Sequence, residues 1–186
     1  MTYLPREDTY FFIDALADYG GHRACEIGCG IGLALLELSK RFGLVVGTDL
    51  DLESLLEAKE SLKKSGVENV ELIASDKAEA FRDGVFDLVA FNPPYLPSEG
   101  LGDRCVEGGP RGYESALEFA RSGERRLVDG GRLLLLASSL SDLEGLLKGL
   151  SGLGLECRIK ARRRLFFEEL FALECSRRAN FDDVAI

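Results

Sequence analysis

The chain has 186 residues, of which 46% are hydrophobic and 30% charged, so it can bury one substantial core but is short for two domains. A formal net charge of -9 argues against a broad nucleic-acid-binding face, because such affinity comes mostly from clustered lysine and arginine. One histidine and five cysteines without a CxxC pair predict no metal-ligand cluster. No apolar run approaches the roughly 20 residues of a membrane span, and the N-terminus lacks the basic segment of a secretion signal. We therefore expect one cytoplasmic domain over residues 1–186, with buried free thiols and no bound metal.

Apolar periodicity predicts alternating strands and helices over most of the chain. A first helix is expected to take Asp8 or Thr9 as its N-cap and to end at Gly20. After it, the predicted elements are a strand at 23–28, a helix at 33–42, a strand at 44–50, a helix at about 51–65, strands at 70–75 and 86–92, a helix at 113–128, a strand at 131–138 and a helix around 143–150.

The last part of the chain breaks this alternation. Residues 155–175 offer two strands with no room for a crossover helix, and only an antiparallel hairpin joins strands so closely. The preceding strands, connected through helices, should pair in parallel with helices on both faces of the sheet. The predicted fold class is therefore α/β, a doubly wound, mostly parallel, seven-stranded sheet with a C-terminal antiparallel hairpin.

The stretch "EIGCGIG" follows the first strand, where a ligand would meet the carboxyl end of the sheet and the start of a helix. Its glycines are Gly28, Gly30 and Gly32, whereas a GxGxxG dinucleotide fingerprint requires glycine where Leu33 stands. NAD is therefore disfavoured. Glu26 would repel a pyrophosphate, but its carboxylate can accept a hydrogen bond from a cationic amino group.

Two further acids follow strand ends. Asp49 ends the second strand, where a carboxylate can bind both hydroxyls of a ribose. Asp76 follows the third strand, where a carboxylate could bind an adenine amino group. Each acid alone could instead be a helix N-cap, as could Asp51.

The stretch "FNPPYLP" leaves the fourth strand in an unusually stiff form. Proline fixes its own φ and pushes the preceding residue towards extended backbone, so Asn92 and Pro93 should be held rigidly beyond the strand end. Together with the glycine loop and the two acids, this stiffness predicts a site at one edge of the sheet.

In this order, "EIGCGIG", "GTDLD", "ASD" and "NPPYLP" resemble the class I S-adenosylmethionine-dependent methyltransferases, with a Rossmann-like fold. The resemblance covers nearly the whole chain. It is closest to the HemK-like protein glutamine N5-methyltransferases, in the short archaeal and eukaryotic branch that modifies class I translation release factors. The stretches "PREDTYFFIDAL" and "GGPRGYESALEF" carry that narrower resemblance.

The resemblance implies S-adenosyl-L-methionine as cofactor and a covering role for residues 1–21. Contacts with the cofactor are then expected from Thr9, Glu26, Gly28, Gly30, Asp49, Asp76 and Asn92. The catalytic residues are expected to be Asn92, Pro93 and Tyr95. The Asn92 side-chain oxygen and the Pro93 carbonyl would accept the two N–H groups of the substrate amide, and the Tyr95 ring would lie against the amide plane.

The same resemblance implies two partners, a class I release factor as substrate and a small zinc-binding activator protein that extends the sheet. The strand at 70–75 would be the free edge, and its alternation of Val70, Leu72 and Ala74 suits pairing. "NPPY" also occurs in enzymes that methylate exocyclic amines of adenine or guanine in RNA or DNA. Such an enzyme is the alternative, although the net charge weighs against it. A structural subunit that only binds the cofactor is a third reading, against which "NPPY" argues.

Two further segments could contact a substrate or a partner. The glycine-rich, acidic residues 97–111 suit a mobile substrate lid. The basic run 158–164 is read either as a solvated hairpin tip or as a docking patch for an acidic partner.

Overall fold

The computed structural model describes residues 5–98 and 107–178. In these residues the elements are α1 (Glu7–Leu16), β1 (Gly21–Ile27), α2 (Leu33–Leu38), β2 (Phe42–Asp49), α3 (Leu52–Lys64), β3 (Val70–Ala74), β4 (Phe86–Phe91), β5 (Leu96–Pro97), β6 (Glu107–Gly109), α4 (Glu114–Glu124), β7 (Leu127–Ser138), α5 (Leu143–Gly152), β8 (Leu155–Arg164) and β9 (Glu169–Arg177).

Seven of these strands form one sheet in the order β3-β2-β1-β4-β7-β9-β8. The first five strands in that order pair in parallel, whereas β9 pairs antiparallel with both β7 and β8. The predicted fold class is confirmed, including the C-terminal hairpin, and β3 lies at a sheet edge as the sequence predicted. Because the strand order reverses direction beside β1, the carboxyl ends of β1, β2 and β4 meet at one place.

The inner strands of the sheet are buried on both faces. One face packs against α1, α2 and α3 through a cluster that includes Phe12, Leu35 and Leu134. The other face packs against α4 and α5 through a cluster that includes Phe91 and Leu135. The four consecutive leucines of β7 alternate between these two clusters, which is why the strand is apolar throughout its inner part.

Several predicted boundaries were wrong. Helix α2 ends at Leu38, because the following residues form a turn that leads directly into β2. Helix α4 ends at Glu124, and β7 already begins at Leu127. The N-cap of α1 is Arg6, so Asp8 and Thr9 lie inside the helix. The sequence also gave no sign of the small parallel sheet formed by β5 and β6.

The prediction of free thiols was wrong for two cysteines. Cys157 and Cys175 face each other across β8 and β9 and form a disulfide, with a Cα–Cα distance of 4.0 Å. Cys25 and Cys29 are free and buried, as predicted. Cys105 lies outside the described residues, as do residues 1–4 of the predicted covering segment and residues 99–106 of the predicted lid.

Within residues 5–98 and 107–178, no helix is both long and apolar enough to cross a membrane. The same residues contain no group of three or more histidine, cysteine or acidic side chains placed to hold a metal ion.

Candidate functional site

A cavity of about 960 Å³ opens at the carboxyl edge of β1, β2, β3 and β4. This volume is near the upper end of the range for small-molecule sites, which is about 300–1,000 Å³. All of the site residues predicted from the sequence line it: Thr9, Glu26, Gly28, Gly30, Asp49, Asp76, Asn92, Pro93 and Tyr95. The topology therefore brings together residues that are up to 86 positions apart in the chain, from Thr9 to Tyr95.

The glycine loop after β1 depends on backbone conformations that other residues rarely adopt. Gly28, Gly30 and Gly32 all have positive φ, between 51° and 81°. The amides of Gly28 and Cys29 both donate to the Thr48 carbonyl at the end of β2, at 2.8 and 2.9 Å. The loop is thus held against β2 and leaves its open side to the cavity.

Asp49 organises the backbone around it with both carboxylate oxygens. Oδ2 accepts from the Gly30 amide at 2.8 Å, and Oδ1 accepts from the Asp51 amide at 2.9 Å. Asp51, rather than Asp49, caps α3 and accepts from the Glu53 amide. Since each carboxylate oxygen has a second lone pair, Asp49 can hold the loop and still accept hydrogen bonds from a ligand.

Glu26 is the penultimate residue of β1 and is almost fully buried between β2 and β4. Burial, and secondly the nearby charge of Asp49, raise the pKa of Glu26 well above its usual value. Its Oε2 is buried and finds no hydrogen-bond partner among the described residues. A buried acceptor without a partner costs about 1–3 kcal/mol, so this position favours a ligand that donates to it.

Asp76 lies beyond β3 in a turn, with no helix for it to cap. Lys77 beside it has a φ of 53°, the only positive φ of a non-glycine residue in the described chain. The Lys77 ammonium pairs with Asp76 at 3.0 Å and with Glu118 of α4 at 3.5 Å. Phe119 of α4 also lines the cavity, so this end combines an aromatic ring with carboxylates. Sequence analysis did not identify Lys77, Glu118 or Phe119.

The backbone of the "NPPY" segment packs closely against two glycines, Gly108 within β6 and Gly112 just after it. A Cβ atom on Gly108 would lie 2.8 Å from the Tyr95 Cα, and one on Gly112 would lie 2.5 Å from the Tyr95 carbonyl oxygen. Only glycine permits such close approach. The segment is therefore rigid both because of its two prolines and because another turn packs directly against it.

Asn92 has a buried partner that sequence analysis missed. Its Nδ2 donates to the Asp8 carboxylate at 3.3 Å, although the two residues are 84 positions apart. Asp8 is only 5% exposed. The Asn92 Oδ1 is buried and has no partner among the described residues. The sequence shows Asp8 as one of two acids in the first turn of α1, which we interpreted as a possible cap.

Thr9 lies one residue further along α1. Its hydroxyl accepts from the Arg6 amide at 3.4 Å, so it takes part in starting the helix. It also lines the cavity, which leaves it available for a ligand contact.

Known methyltransferases are similar to this chain over most of its length. The family model of the methyltransferase small domain matches residues 7–164. A protein of Methanocaldococcus jannaschii named "Putative protein N5-glutamine methyltransferase" is 32% identical over 182 residues, which cover 94% of this chain and 91% of that protein.

Two further relatives indicate the range of substrates. The structure of the E. cuniculi Mtq2–Trm112 complex, described as responsible for methylation of the eRF1 translation termination factor, superposes with a TM-score of 0.78. The match has 27% identity and covers 95% of this chain and 99% of that one. A tRNA (guanine(10)-N2)-dimethyltransferase of Methanothermobacter thermautotrophicus is 29% identical over 127 residues, which cover 68% of this chain but only 36% of that enzyme.

Proposed function

Because the chain belongs to the methyltransferase small domain family, whose cofactor is S-adenosyl-L-methionine, we propose that it methylates the N5 amide nitrogen of a glutamine in a class I translation release factor. The observation that carries the proposal is the Asn92 Oδ1 at the end of β4, a buried acceptor for which residues 5–98 and 107–178 offer no partner. The similarity to the M. jannaschii and E. cuniculi proteins over nearly the whole chain supports the choice of glutamine.

The cavity fits this cofactor. The unpartnered Glu26 Oε2 suits the amino group of the methionine part, and the open glycine loop leaves room beside it. In the proposed complex, Asp49 binds the ribose hydroxyls, and Asp76 and Phe119 contact the adenine, which is supported by their place in the cavity lining. When bound, the cofactor supplies a methyl group on a positively charged sulfur, which is already activated towards a nucleophile.

The remaining task of the protein is to position the acceptor nitrogen and to exclude water. The lone pair of an amide nitrogen is delocalised into its carbonyl group, so the orientation of its two N–H groups matters. In the proposed complex, the Asn92 Oδ1 accepts one N–H and the Pro93 carbonyl accepts the other. The Tyr95 ring lies against the amide plane.

We assign Asp8 the role of orienting Asn92. A carboxylate only accepts hydrogen bonds, so the Asn92 amino group must face Asp8, and Oδ1 must face the other way. An unsupported amide could rotate by 180° and present two donors to a substrate that also donates. Asp8 removes that orientation.

We also propose that a small zinc-binding activator pairs along β3. The E. cuniculi relative Mtq2 forms a complex with Trm112, which supports the presence of a partner. Strand β3 has one free edge. Helix α3, which packs against β3, exposes Leu52 and Leu56 by 61% and 65%. A free strand edge beside exposed leucines is a feature that binding partners commonly cover. The proposed partners would place the protein in the cytoplasm.

The function is tested by incubating the protein and labelled S-adenosyl-L-methionine with a purified class I release factor, with and without a Trm112-like protein. We expect label on the glutamine of the glycine-glycine-glutamine motif, located by mass spectrometry, and none when that glutamine is replaced. Asn92→Ala should lower turnover by about 100-fold or more, because it removes a preorganised acceptor. Labelling of RNA with an unlabelled factor would instead favour a nucleic-acid methyltransferase.

Asp8→Ala should lower kcat by about 10-fold to 100-fold, because Asn92 loses its fixed orientation. Asp8→Asn retains an acceptor oxygen and should recover part of this loss. Cofactor affinity, measured by calorimetry, should change little in either variant. Asp14→Ala serves as the control, since it removes an exposed acid of the same helix. An unchanged kcat in Asp8→Ala would rule out the orienting role.

Cofactor binding should release a proton from Glu26. Burial and the charge of Asp49 raise its pKa and so favour the protonated carboxyl in the free protein, whereas a cationic amino group beside it favours the ionised form. Affinity should therefore increase as the pH rises towards the raised pKa of Glu26, with proton release detected by calorimetry in buffers of different ionisation enthalpy. Glu26→Gln should abolish the release and weaken binding about tenfold to a hundredfold. Equal proton release by Glu26→Gln would contradict the assignment.

Leu52→Ser combined with Leu56→Ser should prevent binding of the Trm112-like protein, as judged by gel filtration. Ile159→Ser is the matched control, because Ile159 is an exposed aliphatic residue on β8 at the opposite edge. Binding that survives the double substitution, or that is lost in the control, would argue against the β3 edge as the interface.

A further inference from the structure

The turn between β8 and β9 exposes two large aromatic side chains. The Leu165 amide donates to the Glu168 carbonyl at 2.8 Å and closes a loop with Phe166 and Phe167 at its centre. Their side chains are 91% and 85% exposed. The rings contact each other edge to face, with centroids 4.6 Å apart. They are the two most exposed of the large hydrophobic residues in the described chain.

This turn runs against ordinary turn chemistry. The pairing of β8 with β9 ends at Arg164 and Glu169, and the four residues between them need no positive φ. Such turns favour small polar residues, which remain solvated, rather than large aromatic ones. Phe166 and Phe167 gain almost no stabilisation from burial here. Single exposed apolar residues are common on protein surfaces, whereas two adjacent large ones are less common. Where a natural sequence breaks a local rule in this way, a functional site is the expected reason.

The turn is fixed to the rim of the methyl-transfer cavity. Leu165 and Glu168, which flank the two phenylalanines, line the same cavity as Asn92. The start of β9, next to the turn, is held to the residue after β7, because Ser139 and Glu169 exchange two hydrogen bonds of 2.8 Å. The Ser138 hydroxyl also bonds to the Glu168 carboxylate. The exposed rings therefore stand at a fixed place beside the entrance.

Two arginines extend this surface along β8. Within the basic run, Arg158, Lys160 and Arg163 form ion pairs with acids of β9 and α1. Arg162 and Arg164 are exposed and make no ion pair with any described residue. As residues two apart on one strand, they lie on the same face, next to the aromatic turn.

We infer that Phe166, Phe167, Arg162 and Arg164 form a docking surface for the folded protein that carries the target glutamine. The inference rests on the proposed function, in that a protein is the acceptor. A glutamine side chain that reaches the cavity leaves its own domain outside, against the rim. The surface suits an apolar depression flanked by carboxylates, because aromatic and arginine side chains dominate the binding energy of protein interfaces.

A protein fits this surface better than RNA does. The chain carries a net charge of -9, and the acidic residues Glu118 and Glu168 line the cavity. A polyanion that approached the two arginines would meet these carboxylates as well. An apolar contact with a few charge pairs avoids that repulsion.

The test compares two acceptors, the complete release factor and a short peptide that contains the glycine-glycine-glutamine motif and cannot reach the turn. Phe166→Ser combined with Phe167→Ser should raise KM for the factor at least tenfold and leave kcat within about twofold. The kinetic constants for the peptide and the affinity for S-adenosyl-L-methionine should not change. Tyr10→Ser is the matched control, because Tyr10 is an exposed aromatic residue that does not line the cavity.

A second variant tests the charges separately. Arg162→Glu combined with Arg164→Glu should raise KM for the factor by a factor that shrinks as the salt concentration rises. Direct binding of the factor to each variant, measured by calorimetry, should follow the same order as KM.

An unchanged KM and unchanged factor binding in both double variants would overturn the docking surface while leaving the proposed function intact. If the wild-type protein methylates neither the peptide nor the factor, the proposed function fails, and the binding measurement alone then decides the docking surface. Loss of RNA binding in the variants, with factor binding unaffected, would also overturn it in favour of a nucleic-acid surface.

Discussion

Two buried oxygen atoms, Oε2 of Glu26 and Oδ1 of Asn92, have no hydrogen-bond partner in the part of the chain that the structure describes, and the rest of the fold keeps them in place. Each costs about 1–3 kcal/mol in the free protein. They lie near the ends of β1 and β4, which are neighbouring central strands with apolar cores on both faces. The two oxygens stay without partners because the packed strands around them cannot rearrange to supply a donor. The stabilisation by the core therefore offsets the free-energy cost of two acceptors that are available to ligands.

The rest of the site limits how these acceptors can relax. Asp8 holds the Asn92 amino group from α1, and Asp49 holds the glycine loop from β2. The turn at Gly108 and Gly112 packs against the backbone of Tyr95. These contacts come from different parts of the chain, so the geometry of the cavity depends on the complete fold. In the proposed mechanism, this rigidity replaces chemical activation, which the cofactor already supplies.

Local sequence patterns predicted the sheet well, because each parallel strand is a short apolar run between turn residues. The strand ends also identified Glu26, Asp49, Asp76 and Asn92, since the carboxyl ends of parallel strands meet at one edge. Asp8 could not be assigned from the sequence. Its role depends on the packing of α1 over the end of β4, whereas its local position is equally compatible with a helix cap.

The disulfide escaped prediction for a related reason, which is the register of the C-terminal hairpin. The turn pairs Arg164 with Glu169, and an unbroken register from there would place Cys157 opposite Ser176. A β-bulge between Ile159 and Ala161 shifts the pairing by one residue and brings Cys157 opposite Cys175. No local residue pattern predicts that bulge, so the pairing of Cys157 with Cys175 could not be predicted from the sequence.

The two edges of the sheet carry different side chains, and the two proposed partners bind at different edges. Helix α3, which packs against β3 at one edge, exposes two leucines. Strand β8 at the other edge carries arginines that form no ion pair with the described residues, and it leads into the aromatic turn. Six strand spacings separate these edges, which corresponds to about 29 Å. An activator on β3 and a substrate domain on the β8–β9 turn would therefore not collide. Since both edges flank the same row of strand ends, each partner can act on the cavity without displacing the other.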